Sequence, residues 1–285
     1  MSFEIDKEIN KVNIIKIKIS VGMNKSRYNF IILIIKQAGD ILLDSRKKHF
    51  EVLSKGGDSR NIVTSVDIEV NDFLEKAIYS TYPEDIIFSE ETRDVATTKT
   101  TFWSIDPIDG TSNFSRHIPH FAIVITYIEN NRPAVGAVYN PITRELFSFE
   151  KGKGAYLNGE KISVSSVSTL KESYTLLHIG RLDSVREWGI KLQKILLGKA
   201  KKTINLSSSA LDLCFLAAGR VDVVIYGTLT TRDIAMAVAI VREAGGEVYD
   251  ILGKPVSISS EPQKIIGVSN KELFDEINKE TNFII

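Results

Sequence analysis

The chain has 285 residues, 43% of them hydrophobic and 25% charged, an ordinary globular composition long enough for one large or two intimately packed domains. Its 36 basic and 36 acidic side chains cancel, which argues against a nucleic-acid or anionic-membrane surface as the main business, because those partners demand an excess of Lys and Arg. A lone cysteine, Cys214, leaves neither a disulfide framework nor a thiolate metal cluster, and the simplest home for such a chain is a reducing cytoplasm.

Residues 1–24 read as an N-terminal extension in which lysines interrupt the isoleucines near Ile14 to Ile19, without the apolar core of a signal peptide. Met23 resembles a fresh start. From Ser26 to about Ser45 apolar residues recur at helical spacing, although the apolar run Phe30 to Ile35 falls far short of the roughly 20 residues that cross a bilayer. The small and charged residues Lys55 to Ser59 read as a loop. A second helix follows over Ser65 to Tyr79. Two short strands, Ile86 to Phe88 and Thr101 to Ile105, finish on carboxylates. Phe121 to Glu129, Ala134 to Asn140 and Glu145 to Glu150 predict consecutive strands, and Asn158-Gly159 predicts a hairpin within Tyr156 to Ile162. Helices over Val185 to Leu197, Ser208 to Ala218 and Asp233 to Ala244 alternate with a strand at Val221 to Ile225 and short strands at the end. This is the pattern of mixed α and β layers, divided here into halves at 25–155 and 156–285.

The stretch Trp103 to Phe114, WSIDPIDGTSNF, places two aspartates three residues apart after an apolar run. Pro107 fixes φ and Gly110 permits unusual dihedrals, so a tight turn can present Asp106 and Asp109 on one side. Paired carboxylates suit a hard cation such as Mg²⁺, which takes oxygen ligands and substrate phosphate. Thr111, Ser112 and Asn113 suit a helix start, whose free N–H groups favour an anion. An isolated pair of this kind is an ordinary turn, but D-P-x-D-G-T in full arises by chance in about one of several thousand chains of this length.

These residues resemble the signature W-x-x-D-P-x-D-G-T-x-N-F of the inositol monophosphatase-like family, the lithium-sensitive, Mg²⁺-dependent sugar and nucleotide phosphatases. The similarity extends to VTSVD, SEE, KGKGAYLNG, SALDLCFLAAGRVD and RDIAMAVAIVREAGG, from Met23 to the C-terminus. The resemblance implies a five-layer αβαβα sandwich of the α+β class. It implies that Glu90, Asp106, Asp109, the Ile108 carbonyl and Asp233 hold two or three Mg²⁺ ions. It further implies that Asp67 and Thr111, with Glu90, orient and activate a water, that Glu91 stands beside the metals, and that the amides of Gly110 and Thr111 grip phosphate. A homodimer acting on a small phosphorylated substrate completes the picture. Each residue also has a plainer reading: Asp67 as a helix N-cap, Glu90 and Glu91 as a solvated strand end, Asp233 as the cap of the helix from Ile234.

Substrate contacts are expected from Ser207 and Ser208 at a helix entrance, from Tyr226 and Arg232, and from Arg181 as a further candidate. Tyr226 stands seven residues before Asp233, where animal members carry a glutamate. A basic residue beside Asp233 looks more like the archaeal members that hydrolyse both inositol 1-phosphate and fructose 1,6-bisphosphate, since a guanidinium suits a second phosphate. The rival readings are a 3′(2′),5′-bisphosphate nucleotidase and a catalytically inactive binding relative. KGKG at Lys151 to Gly154 reads as a turn, His117 and His120 as structural or surface histidines, Cys214 as a buried hydrophobe, and Lys199, Lys201 and Lys202 as a solvated patch.

Overall fold

The computed structural model describes residues 26–55, 57–91, 99–180, 183–256 and 262–281, apart from the side chains at 60, 184 and 231–234. The N-terminal extension lies outside them. Ser26 caps α1 (Arg27–Arg46), accepting a hydrogen bond from the Asn29 amide, and Ile31, Ile34, Ile35, Ala38 and Leu42 form one fully buried stripe at helical spacing. The polar stretch read as a loop is an antiparallel hairpin of β1 (Val52–Lys55) and β2 (Asp58–Thr64), turned at Gly57 with φ 80°. Its first strand is almost wholly exposed, so no apolar alternation announces it.

After α2 (Ser65–Thr81) come β3 (Ile87–Ser89), β4 (Phe102–Asp109) and the single turn α3 (Thr111–Ser115). Then follow β5 (Ala122–Glu129), β6 (Arg132–Asn140), β7 (Glu145–Glu150), β8 (Gly154–Leu157) and β9 (Glu160–Ile162). Asn130, Asn131, Asn158 and Gly159 all have positive φ, the geometry that two-residue hairpin turns require. These strands form one seven-stranded sheet in the order β3-β4-β5-β6-β7-β8-β9.

The second half supplies β10 (Tyr174–His178), α4 (Asp183–Lys199), β11 (Lys202–Ile204), α5 (Ser209–Ala217) and β12 (Val223–Leu229). It ends with α6 (Thr231–Glu243), β13 (Glu247–Asp250), β14 (Gln263–Val268) and α7 (Lys271–Thr281). Its five strands run β11-β10-β12-β14-β13. The sequence left β10 and β11 unpredicted. The chain changes sheets between Ile162 and Tyr174; a boundary at 155/156 would run through the middle of β8 and divide the seven-stranded sheet.

Five layers result, in the mixed α+β class. α1 and α2 cover one face of the large sheet, with Trp103, Ile105, Ile123 and Ile125 beneath them. α5 and α6 fill the space between sheets, where Val124, Val138 and Phe149 meet Leu213, Met236, Ile240 and Val224. α4 and α7 close the far side through Trp188, Leu192, Leu273 and Phe274. β4 is buried along all eight residues because helices lie on both of its faces.

Gly227 in β12 marks a close approach: a Cβ there would stand 2.0 Å from the Ile179 carbonyl oxygen, which is backbone and cannot step aside. Gly227→Ala should therefore cost about 3 kcal/mol. Thermal denaturation checks this, and an unchanged melting temperature would show that β10 and β12 are free to part.

Candidate active site

The site begins at the C-terminal ends of two parallel strands. Ser89 of β3 lies opposite Ile105 of β4, and the Glu90 amide donates to the Ile105 carbonyl at 3.3 Å, so Glu90, just past β3, stands beside Asp106 of β4. Between Asp106 and Asp109 the register with β5 shifts, because Pro107 has no N–H to give the ladder. The Ile108 amide instead donates to Asp106 Oδ1 at 3.0 Å, closing an Asx turn. Gly110, at φ 90°, then turns the chain into α3. Gly110 and Thr111 stand at the start of that turn, where first N–H groups have no partner within the helix.

Asp67 reaches the same place from α2. It is not the N-cap: Thr64 is, and Asp67 closes a capping box by accepting from the Thr64 amide at 2.8 Å and from its hydroxyl. The other oxygen, Oδ1, lies 3.3 Å from the Thr111 hydroxyl, which is itself 2.9 Å from the Ile108 carbonyl. Burial pushes the Asp67 carboxyl up to about 6; the Thr64 hydrogen bonds oppose that rise, and the charges of Glu91 and Glu90 add to it.

Lys55, at the end of β1, donates to Glu90 Oε1 and Glu91 Oε1, both at 2.8 Å. Burial works against its charge, but the two glutamates outweigh this and hold its pKa above the ordinary lysine value. Nothing in the sequence distinguished this lysine, which belongs to the site only because the hairpin folds over the β3 end.

Asp109 faces the opposite way, across to the second half. It accepts from the Ser208 hydroxyl, from the Ser209 hydroxyl at 2.9 Å and from the Ala210 amide at 3.0 Å. Burial raises its pKa against these three donors, and Asp212 adds to the rise. Ser207, just before, is a non-glycine residue at φ 64°, with its hydroxyl donating to Asn205 Oδ1 at 2.7 Å. Tyr226 is only 3% exposed and donates its hydroxyl to Asp212 Oδ2 at 2.6 Å, while His120 Nε2 meets Asp212 Oδ1 at 2.8 Å. Ser208 and Tyr226, both expected to contact substrate, thus donate their hydroxyls to carboxylates inside the protein. Ser209, Asp212, His178 and His120 were not singled out as site residues; their roles arise from contacts that span up to about a hundred residues of chain.

Asp233 and Arg232 lie in the first turn of α6, with side chains outside the described residues, and Arg181 lies wholly outside them. Among the described residues no three His, Cys, Asp or Glu side chains are arranged to hold an ion. In this arrangement Lys55 bridges Glu90 and Glu91, and α5 engages both oxygens of Asp109. The donors nevertheless fit a hard divalent cation, being carboxylate and carbonyl oxygens only, and two of the carboxylates, Glu90 and Glu91, are close enough to share one ammonium.

The plainer readings also have places. The turn at KGKG is tied down by Glu243, whose carboxylate accepts from the Gly152 and Gly154 amides at 2.7 and 2.9 Å. An anion loop would need those amides free. Cys214 is fully buried. His117 is exposed at φ 60°, its carbonyl accepting from Arg46.

A family model described as the inositol monophosphatase family matches residues 23–285. A fructose-1,6-bisphosphatase/inositol-1-monophosphatase of Thermotoga maritima is 32% identical over 259 residues, covering 91% of this chain and 97% of the relative. Inositol monophosphatase 1 of Bos taurus is 30% identical over 264 residues, covering 90% and 94%. Among solved structures, a Thermotoga maritima IMPase superposes with a TM-score of 0.81 at 31% identity, covering 90% of this chain and 96% of the other. The extragenic suppressor protein suhB of Bartonella henselae gives 0.82 at 25% identity, covering 89% and 97%.

Proposed function

The chain belongs to the inositol monophosphatase family, and we propose from that premise that the acidic group at the ends of β3 and β4 is the metal centre of a phosphatase. The protein is a Mg²⁺-dependent phosphoric monoester hydrolase of sugar or inositol phosphates. The observation that carries the site assignment is the meeting of Asp67 and Thr111 from separate helices with Glu90 and Asp106 on neighbouring strands.

Glu90, Asp106, Asp109, the Ile108 carbonyl and Asp233 would hold two or three ions. When bound, such ions polarise the phosphoryl oxygens, lower the pKa of a water and stabilise the leaving alkoxide. The chain's own residues supply the rest. Asp67 and Thr111 form an acceptor-hydroxyl pair that orients the attacking water, with the Asp67 carboxylate as the acceptor of its proton. The Gly110 and Thr111 amides, aimed from a turn that the positive φ of Gly110 creates, receive the phosphate. Lys55 bridges Glu90 and Glu91 beside this group. The resemblance also supports a homodimer in the cytoplasm, and light scattering that finds a single chain would remove the dimer from this proposal.

The test is phosphate release from inositol 1-phosphate, fructose 1,6-bisphosphate and adenosine 3′,5′-bisphosphate, with Mg²⁺, with Mg²⁺ plus Li⁺, and with EDTA. Release from either of the first two, abolished by EDTA, is the expected result. Release from the adenosine compound alone would make the protein a nucleotidase, and silence on all three would make it a binding relative.

A further inference from the structure

We propose that His178 reads a hydroxyl group on the non-reacting part of the substrate, through Nε2 acting as a hydrogen-bond acceptor. The inference rests on the phosphatase reading above. His178 is the last residue of β10, in register with Tyr226 on the parallel strand β12, and its ring stacks on the Tyr226 ring with centroids 5.1 Å apart and planes at 30°. Tyr226 cannot swing out to meet a ligand, because its hydroxyl is tied to Asp212. The half-buried imidazole is therefore what this wall presents.

The tautomer follows from the neighbours. His178 Nδ1 lies 3.2 Å from the Ser207 hydroxyl and 3.4 Å from Asn205 Oδ1. The Asn205 oxygen can only accept, and the Ser207 proton is already donated to that oxygen at 2.7 Å. Both neighbours thus call for a donor at Nδ1, which in the neutral ring leaves the lone pair on Nε2. Among the described residues Nε2 has no hydrogen-bond partner. Its distance from the chemistry is set by a short path: Ser207 is followed by Ser208 and Ser209, whose hydroxyls both hold Asp109. A phosphate ester at the acidic group would carry its carbon skeleton alongside this imidazole. An acceptor there suits a hydroxyl-rich skeleton, a polyol or a sugar, and offers nothing to a bare aryl group.

The experiment compares KM and kcat for inositol 1-phosphate and for p-nitrophenyl phosphate in the full chain with Mg²⁺. His178→Phe keeps a ring on Tyr226 and removes the acceptor. It should raise KM for inositol 1-phosphate about fivefold to tenfold, leaving kcat and the p-nitrophenyl phosphate KM within about twofold. His178→Gln, whose amide oxygen can stand near the Nε2 position, should recover part of the loss. Equal effects on both substrates, or a fall in kcat alone, would show a structural role and overturn the proposal. If the unaltered protein hydrolyses neither ester but releases phosphate from fructose 1,6-bisphosphate, the phosphatase reading stands and this proposal falls; silence on all three phosphates removes both.

Discussion

Replacing Asp106 by asparagine should lower kcat/KM for inositol 1-phosphate by about a thousandfold or more while leaving the melting temperature within about 3 °C. The asparagine oxygen can still accept from the Ile108 amide, so the Asx turn that shapes the loop survives. What is lost is a full negative charge beside Glu90, at the point where cations would be held. Loss of several kcal/mol of charge stabilisation in the transition state corresponds to three or more powers of ten in rate. Phosphate release across a Mg²⁺ titration measures the effect. Activity within tenfold of the unaltered protein would remove Asp106 from the metal centre.

Asp109→Ala should cost both activity and stability, because this side chain is also the clasp between the halves. Truncation orphans two hydroxyls and an amide at the start of α5, all buried. Left unsatisfied, such donors cost about 3 kcal/mol together, or roughly 6–12 °C in melting temperature. Asparagine should separate the two roles. Burial already raises the Asp109 pKa, so a neutral isostere that keeps an acceptor should lose less than half of that stability, while activity falls about a thousandfold in either variant. Calorimetry of the two variants in EDTA, alongside phosphate release, distinguishes clasp from ligand. An alanine variant that melts like the unaltered protein would refute the clasp.

The regular layers were legible from local pattern. The buried stripe of α1 repeats at helical spacing, and paired Asn-Asn and Asn-Gly turns mark the hairpins around β5, β6, β8 and β9. The β1–β2 hairpin was not legible, because β1 is mostly exposed and neither strand alternates apolar with polar residues. β10 and β11 were missed because they are short and partnered only by strands distant in sequence. The carboxylates of the site were visible in the D-P-x-D-G-T string and its likeness to a family. Lys55, Ser209 and His178 were invisible, since each takes its meaning from a partner that only the fold brings near. The inward hydrogen bonds of Ser208 to Asp109 and of Tyr226 to Asp212 were equally invisible, since their partners lie 99 and 14 residues away in the chain.

The rims of the two sheets constrain how copies of this chain could meet. The outermost strands are β3, β9 and β11, each of three residues, and β13, of four, with Glu160, Lys161, Lys202, Glu247 and Asp250 among them. Such stubs offer too few backbone groups for a neighbour's strand to zip on, and their charges repel one that tries. Among the described residues, these rims of the two larger sheets are thereby poor templates for a sheet that runs on from one molecule into the next.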